Sequence, residues 1–109
     1  MSYNVITLHP FDRQAKRLMK RYPSLKTELS SLIKSLRETP NQGTPLGENC
    51  YKVRLSIASK TKGKSGGARV ITHLYISAST VFLLAIYDKG EQVNISDKVI
   101  KDLLKLISR

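Results

Sequence analysis

Residues 51–58 read Tyr51-Lys52-Val53-Arg54-Leu55-Ser56-Ile57-Ala58. Tyr51, Val53, Leu55 and Ile57 alternate with Lys52, Arg54, Ser56 and Ala58. A period of two predicts a half-buried strand with one apolar face and one basic face. Downstream, Ser59 to Gly67 is a Lys/Gly loop. Ala68–Ser77 and Thr80–Tyr87 read as two further strands, and the short Ala78-Ser79 link predicts an antiparallel hairpin. Val81–Ile86 is apolar at every position, the pattern of a central strand covered on both faces. After the polar stretch Asp88–Ile95, Ser96 and Asp97 open a last helix with an apolar face of Val99, Ile100, Leu103, Leu104 and Ile107.

Upstream of residue 51 the period changes to 3.6. Asn41–Asn49, with Gly43, Pro45 and Gly47, reads as a loop. Leu25, Leu29, Leu32, Ile33 and Leu36 line one face of a helix that Ser24 can cap and Thr39-Pro40 stops. Ala15, Leu18 and Met19 mark an earlier helix with Asp12 as its N-cap, broken at Tyr22-Pro23. Tyr3–Leu8 reads as a strand. The order strand, helix, helix, three strands, helix predicts one α+β domain over residues 1–109. An N-terminal strand and helical hairpin pack on a small twisted, mainly antiparallel sheet, with a C-terminal helix.

Nineteen Lys and Arg stand against eight Asp and Glu, a net charge of +11. A field of that sign attracts polyanions, above all nucleic acid. No acidic residue stands between Glu48 and Asp88, a stretch carrying Lys52, Arg54, Lys60, Lys62, Lys64 and Arg69. Lys52 and Arg54 are two apart and share a strand face. Arg69 opens the next strand and falls near that face if the strands pair through the loop. Three cations on one surface repel one another unless an anion lies between them, and a phosphodiester fits. A Lys-rich edge that only prevents strand association explains the same charges.

Other chemistries find little support. No apolar run approaches the roughly 20 residues of a membrane helix. Residues 1–10 lack a signal-peptide core, so a cytoplasmic protein is expected. The lone Cys50 excludes an internal disulfide and a cysteine-based zinc cluster. Gly63-Lys64-Ser65 lacks the glycine five positions earlier that a phosphate loop needs; Ala58 is there. His9 and His73 are too few for a metal site. His73 has the strand parity of Arg69, which places it as a candidate on the basic surface.

Tyr51-Lys52-Val53-Arg54-Leu55, the loop 58–71 running into Gly66-Gly67-Ala68-Arg69-Val70-Ile71, and Leu84-Ala85-Ile86-Tyr87-Asp88-Lys89 together resemble the RelE/HigB branch of the RelE/ParE toxin superfamily. The resemblance covers nearly the whole chain. It implies the toxin of a bacterial type II toxin–antitoxin pair: an mRNA interferase that enters the ribosomal A site and cuts mRNA. No metal or other cofactor is implied, because the RNA 2′-hydroxyl attacks the adjacent phosphate. Partners implied are a cognate antitoxin, which often binds DNA, the ribosome with its rRNA, and mRNA. No membrane partner is implied, and the toxin alone is expected to be a monomer.

Residue by residue, the resemblance makes Lys52 and Arg54 the two cationic strand positions. Arg69 becomes the arginine that holds the scissile phosphate, and Lys89 the lysine after the last strand. The family's prototype continues with an arginine and, a few residues later, a tyrosine; here Gly90 follows, and residues 91–96 contain no tyrosine. Tyr87, His73 and Lys89 are the candidates for the missing general acid. Lys60, Lys62 and Lys64 read as phosphate grips on RNA, with His73 beside them. Two other readings stay open: a ParE-like inhibitor of DNA gyrase, and a catalytically inactive module that binds only its antitoxin.

Overall fold

The computed structural model describes residues 2–59 and 66–107. Strand β1 (Asn4–Thr7) leads into α1 (His9–Arg21), α2 (Leu25–Glu38), β2 (Thr44–Gly47), β3 (Cys50–Leu55), β4 (Ala68–Tyr75), β5 (Thr80–Asp88) and α3 (Asp97–Leu104). The five strands form one sheet in the order β1-β5-β4-β3-β2. β1 runs parallel to β5, and the other three pairs are antiparallel.

Local chemistry explains most of these elements. Pro10 sits in the first turn of α1, where its missing N–H is no loss. The helix therefore starts earlier than Asp12: the N-cap is Leu8, and Asp12 lies in the first turn near the positive end of the helix dipole. Phe11, Ala15 and Leu18 form its buried stripe. Ser24 does not cap α2 with its side chain. Its Oγ contacts Glu28 Oε1 at 3.2 Å and accepts from Ser59 N at 2.9 Å, while Glu28 Oε2 accepts from Ala58 N at 2.7 Å. The start of α2 is thereby tied to the chain leaving β3. Ser96 does cap α3, accepting from Val99 N at 3.2 Å.

The expected loop 41–49 contains a strand. Thr44 and Pro45 pair with Lys52 and Tyr51, and β2 ends in a tight turn where Glu48 and Asn49 both have positive φ. Periodicity could not reveal four residues containing Pro45 and Gly47. A proline is tolerated there because β2 is an edge strand. Ile76 and Ser77, expected to end the strand at 68–77, form with Ala78 of the expected link a turn of 3₁₀-helix closed by Ser79 in the left-handed region.

Both faces of the sheet are covered. On one side α1 and α2 pack Leu18, Leu25 and Leu36 against Val53, Val70, Val81 and Leu83. On the other, α3 packs Ile100 and Leu103 against Ile71, Leu84 and Ala85. This double cover accounts for the unbroken apolar run of β5, although β4 holds the middle position. The β4–β5 register slips between Ile71 and Thr72. Residues on either side of such a bulge change their facing, so Phe82 joins Ala85 and Tyr87 in the α3-side cluster. Among the described residues no helix is long and apolar enough to cross a membrane.

Candidate functional site: a cationic cleft on the sheet

The α3 side of β3 and β4 carries Lys52 and Arg54 opposite Ile71 and Arg69. The α3-side core reaches Ile71 and Cys50 but stops short of the Arg54–Arg69 end. A cleft of about 550 Å³ opens there, lined by Lys52, Arg54, Arg69 and Lys89. Gly43 and Thr44 form one rim, and Val93 and Asn94 form the other. Among the described residues no carboxylate lines it. Four of the residues singled out from the sequence thus share one concave surface. Lys89 arrives because β5 ends beside β4, where Ala68 pairs with Asp88.

Arg54 lies directly opposite Arg69 in the ladder, a like-charge pairing that disfavours the sheet. Arg69 is nonetheless buried, at 6% exposure. Its Nη1 donates to Gly66 O (3.0 Å) and Ala68 O (3.1 Å). Two carbonyls therefore fix the guanidinium, and its other N–H groups have no partner among the described residues. A held guanidinium with a spare edge suits an anion with two oxygens.

Lys89 is set by its neighbours. Its N–H donates to Gly67 O at 3.1 Å. Asp88, 1% exposed, accepts from Tyr22 Oη at 2.7 Å and from Gly90 N at 2.8 Å. The Asp88 carbonyl accepts from Glu91 N and Gln92 N. Glu91 then bonds Arg17 and Arg21 on α1. The segment after β5 is thus clamped to α1 from both ends of a short turn. The sequence offered one signal for this network, an acidic residue closing an all-apolar strand, but not its partner Tyr22.

The hydrogen bonds from Arg17 and Arg21 hold the Glu91 carboxyl below its ordinary value of 4.5. A depressed carboxyl contributes stability above its unfolded pKa and loses it as pH falls through the folded one. Glu91→Gln is therefore expected to lower stability slightly at pH 7, and by less as pH drops below 4.5. Urea titrations at pH 7 and pH 3 check this.

Gly67 is constrained on both counts that favour glycine. Its φ is +63°, and a Cβ there would lie 2.4 Å from Leu55 O. Gly67→Ala is expected to cost roughly 1–3 kcal/mol and to push Lys89 out of place. A melting curve checks the first effect and the Lys89 amide resonance the second.

The remaining sequence candidates lie elsewhere. Tyr87 pairs with Arg69 across the β4–β5 ladder but lines a separate cavity. Burial pushes its hydroxyl above the ordinary phenol value, with Arg69 partly opposing. His73 shares the sheet face but is 5% exposed, with Nδ1 3.6 Å from Cys50 Sγ. It does not line the cleft. Lys60, Lys62 and Lys64 lie outside the described residues. Gly43, Thr44, Val93 and Asn94 carry no local motif, so sequence reasoning missed them. Among the described residues, no group of three His, Cys, Asp or Glu side chains is placed to hold a metal ion.

Comparison with known proteins agrees with this architecture. The chain is similar in fold to the free E. coli toxin RelE carrying two arginine-to-alanine substitutions. That similarity has a TM-score of 0.63 and 19% identity, covering 99% of this chain and 100% of that one. It is also similar to the intact E. coli RelBE toxin–antitoxin complex, with a TM-score of 0.47 and 18% identity over 78% of this chain and 94% of that one. No curated protein matches. The family model for the RelE toxin of the RelE/RelB toxin–antitoxin system matches residues 11–109, a span that takes in α1 from its third residue, the whole cleft and α3. The chain therefore belongs to the RelE toxin family of toxin–antitoxin systems.

Proposed function

We propose that this toxin is a ribosome-dependent mRNA endonuclease, cutting in the A site without a metal. The observation that carries the reading is the cleft in which Lys52, Arg54, Arg69 and Lys89 converge with no carboxylate among them. The substrate supplies its own nucleophile. The 2′-oxygen bonds to phosphorus, the P–O5′ bond breaks, and a 2′,3′-cyclic phosphate and a 5′-hydroxyl result. The protein must align the attacking oxygen, neutralise the phosphorane and move two protons. Arg69, held by its two carbonyls, and Arg54 opposite it take the phosphate charge. Lys89 is placed to pass a proton to the departing O5′, and Lys52 to take one from the 2′-hydroxyl. Lys89 fits the acid role better than Tyr87 or His73 because it alone of the three lines the cleft. Lys60, Lys62 and Lys64 add grips on rRNA or mRNA.

The antitoxin on this reading covers the same face with an acidic segment, since a +11 chain attracts one. The toxin acts as a cytoplasmic monomer when released. The test is primer extension of mRNA in a purified translation system, with naked RNA and Arg54→Ala as controls. Arg54 is exposed, so its loss should not disturb the core. Cuts that need ribosomes and disappear in the variant are expected. Intact mRNA with a toxin that still arrests growth would instead direct attention to gyrase supercoiling. Intact mRNA without growth arrest would leave an antitoxin-binding module.

A further inference from the structure

Arg13, Lys16, Arg17, Lys20 and Arg21 stand on α1 against the single acid Asp12. Helical spacing puts Arg13, Arg17 and Arg21 in one row, a turn apart. A carboxylate from beyond β5 sits on that row: Glu91 accepts from Arg17 Nη2 at 3.0 Å and from Arg21 Nη1. The side chains of Arg17 and Arg21 are 57% and 50% exposed, and that of Glu91 39%. Ion pairs this exposed are weak and open to competition from solutes.

The stretch after Glu91 is the rim of the cationic cleft. Val93 and Asn94 line the cleft, in a stretch that is neither helix nor strand. Gln92 N donates to Asp88 O, Gln92 Nε2 donates to Asn94 O, and Asn94 Oδ1 accepts from Ile95 N. Those bonds stay within residues 88–95. Glu91 ties the outer side of this segment to α1, as Asp88 ties its inner side through Tyr22.

We infer that Glu91 is an internal competitor for a phosphate site on α1: an RNA backbone that takes Arg17 and Arg21 displaces the carboxylate and releases the rim of the cleft. The inference rests on RNA being the toxin's polyanion and adds a regulatory contact to the same cleft. A carboxylate and a phosphodiester each offer two oxygens and one negative charge to a guanidinium, so Glu91 occupies the place of a phosphate. One carboxylate against two guanidiniums leaves a positive charge over. The two arginines are about 6 Å apart along the helix, which lets them grip one phosphate from two sides or two consecutive phosphates. An acidic peptide would exchange one carboxylate for another. A nucleic-acid backbone adds closely spaced charges and the release of its counterions. Asp88 stays bonded to Tyr22 and Gly90 in the exchange, so Lys89 keeps its place while Val93 and Asn94 are let go. By linkage, whatever holds the rim weakens phosphate on α1 by the same factor.

The test titrates the intact toxin with a short RNA duplex at about 0.1 M salt, read by NMR of the Arg17 and Arg21 Nε–Hε groups and of the amides of Val93 and Asn94. All four signals should move together. Glu91→Gln should bind the duplex about two- to tenfold tighter, because two exposed ion pairs no longer have to break. Its Val93 and Asn94 amides should sit, without RNA, near their RNA-bound positions in the wild type. Asp102→Asn adds the same charge beside Lys98 and Lys105 of the α3 region. It should leave the rim amides in place and change the midpoint at Arg17 and Arg21 by less than about twofold. Should Glu91→Gln fold poorly, the double variant Arg17→Ala, Arg21→Ala reads the rim instead, and its amides should move without RNA. Arginine signals that ignore RNA, a rim that is the same with and without the Glu91 contact, or a gain no larger than that of Asp102→Asn overturns the inference. Arginine signals that respond to poly-glutamate and not to RNA overturn it in favour of an acidic protein. The expected shifts without mRNA cutting overturn the nuclease reading alone, and cutting with unmoved arginines overturns the competitor alone.

Discussion

Arg69→Ala is expected to lower ribosome-dependent mRNA cleavage by about two to three orders of magnitude, the usual loss when one preorganised charge-stabilising donor is removed. The reasoning starts from its fixation. Arg69 donates to Gly66 O and Ala68 O, so on the proposed mechanism the guanidinium is held in advance and need not reorganise as charge develops. Alanine also leaves those two carbonyls without their donor, so the fold must be monitored by thermal denaturation. Arg69→Lys separates the two effects. It keeps a positive charge but loses the planar fork that meets two phosphate oxygens, and activity should fall between wild type and Arg69→Ala. Single-turnover cleavage of one mRNA at a fixed ribosome concentration reads the series. A fall of less than about tenfold for Arg69→Ala with the fold intact would remove Arg69 from the mechanism.

Asp88→Ala should be the most destabilising polar substitution discussed here, at roughly 1.5–4.5 kcal/mol, because it strands one buried donor at about 1–3 kcal/mol and removes a part-buried hydrogen bond of about 0.5–1.5 kcal/mol. The donors are Tyr22 Oη and Gly90 N respectively. Asp88→Asn should cost about half as much. Its amide has one oxygen and one NH₂, so it can accept from one of the two donors but must turn a donor toward the other. Both variants should also weaken cleavage, since the same carboxylate sets the turn that presents Lys89. Urea denaturation gives the stability change, and Tyr22→Phe isolates the hydroxyl from the turn.

The pH dependence of this contact has a definite sign. The hydrogen bond to Asp88, helped by burial, raises the Tyr22 hydroxyl above its ordinary value of 10.0. A raised group contributes fully below its unfolded pKa and loses that contribution as pH rises through the folded one. The stabilisation from Tyr22 should therefore be intact up to about pH 10 and decline only beyond it. Tyr22→Phe should shift that alkaline limb.

Local pattern was enough for much of this molecule. The alternation at 51–55 specified a strand and placed Lys52 and Arg54 on one face, because side chains of a strand point to opposite sides with period two. The leucine spacing at 25–36 specified a helix, and Ser96 specified the start of another, since capping involves only near neighbours. The short edge strand β2 was not legible. Its hydrogen bonds come from β3, and Pro45 and Gly47 oppose strand formation locally.

The site itself was partly legible. The cations could be named from sequence, but nothing local assigned them a common concavity. That required the register pairing Arg54 with Arg69, the close of β5 beside Ala68, and an α3 that covers only one part of the face. The tertiary structure also separated residues that the sequence reading had grouped. His73 lies on the basic face yet is buried beside Cys50, and Tyr87 neighbours Arg69 yet lines a separate cavity. Periodicity fixes which way a side chain points from its own strand. Whether that side is then filled by a helix or left open to an anion depends on chain segments tens of residues away, and packing alone decides it.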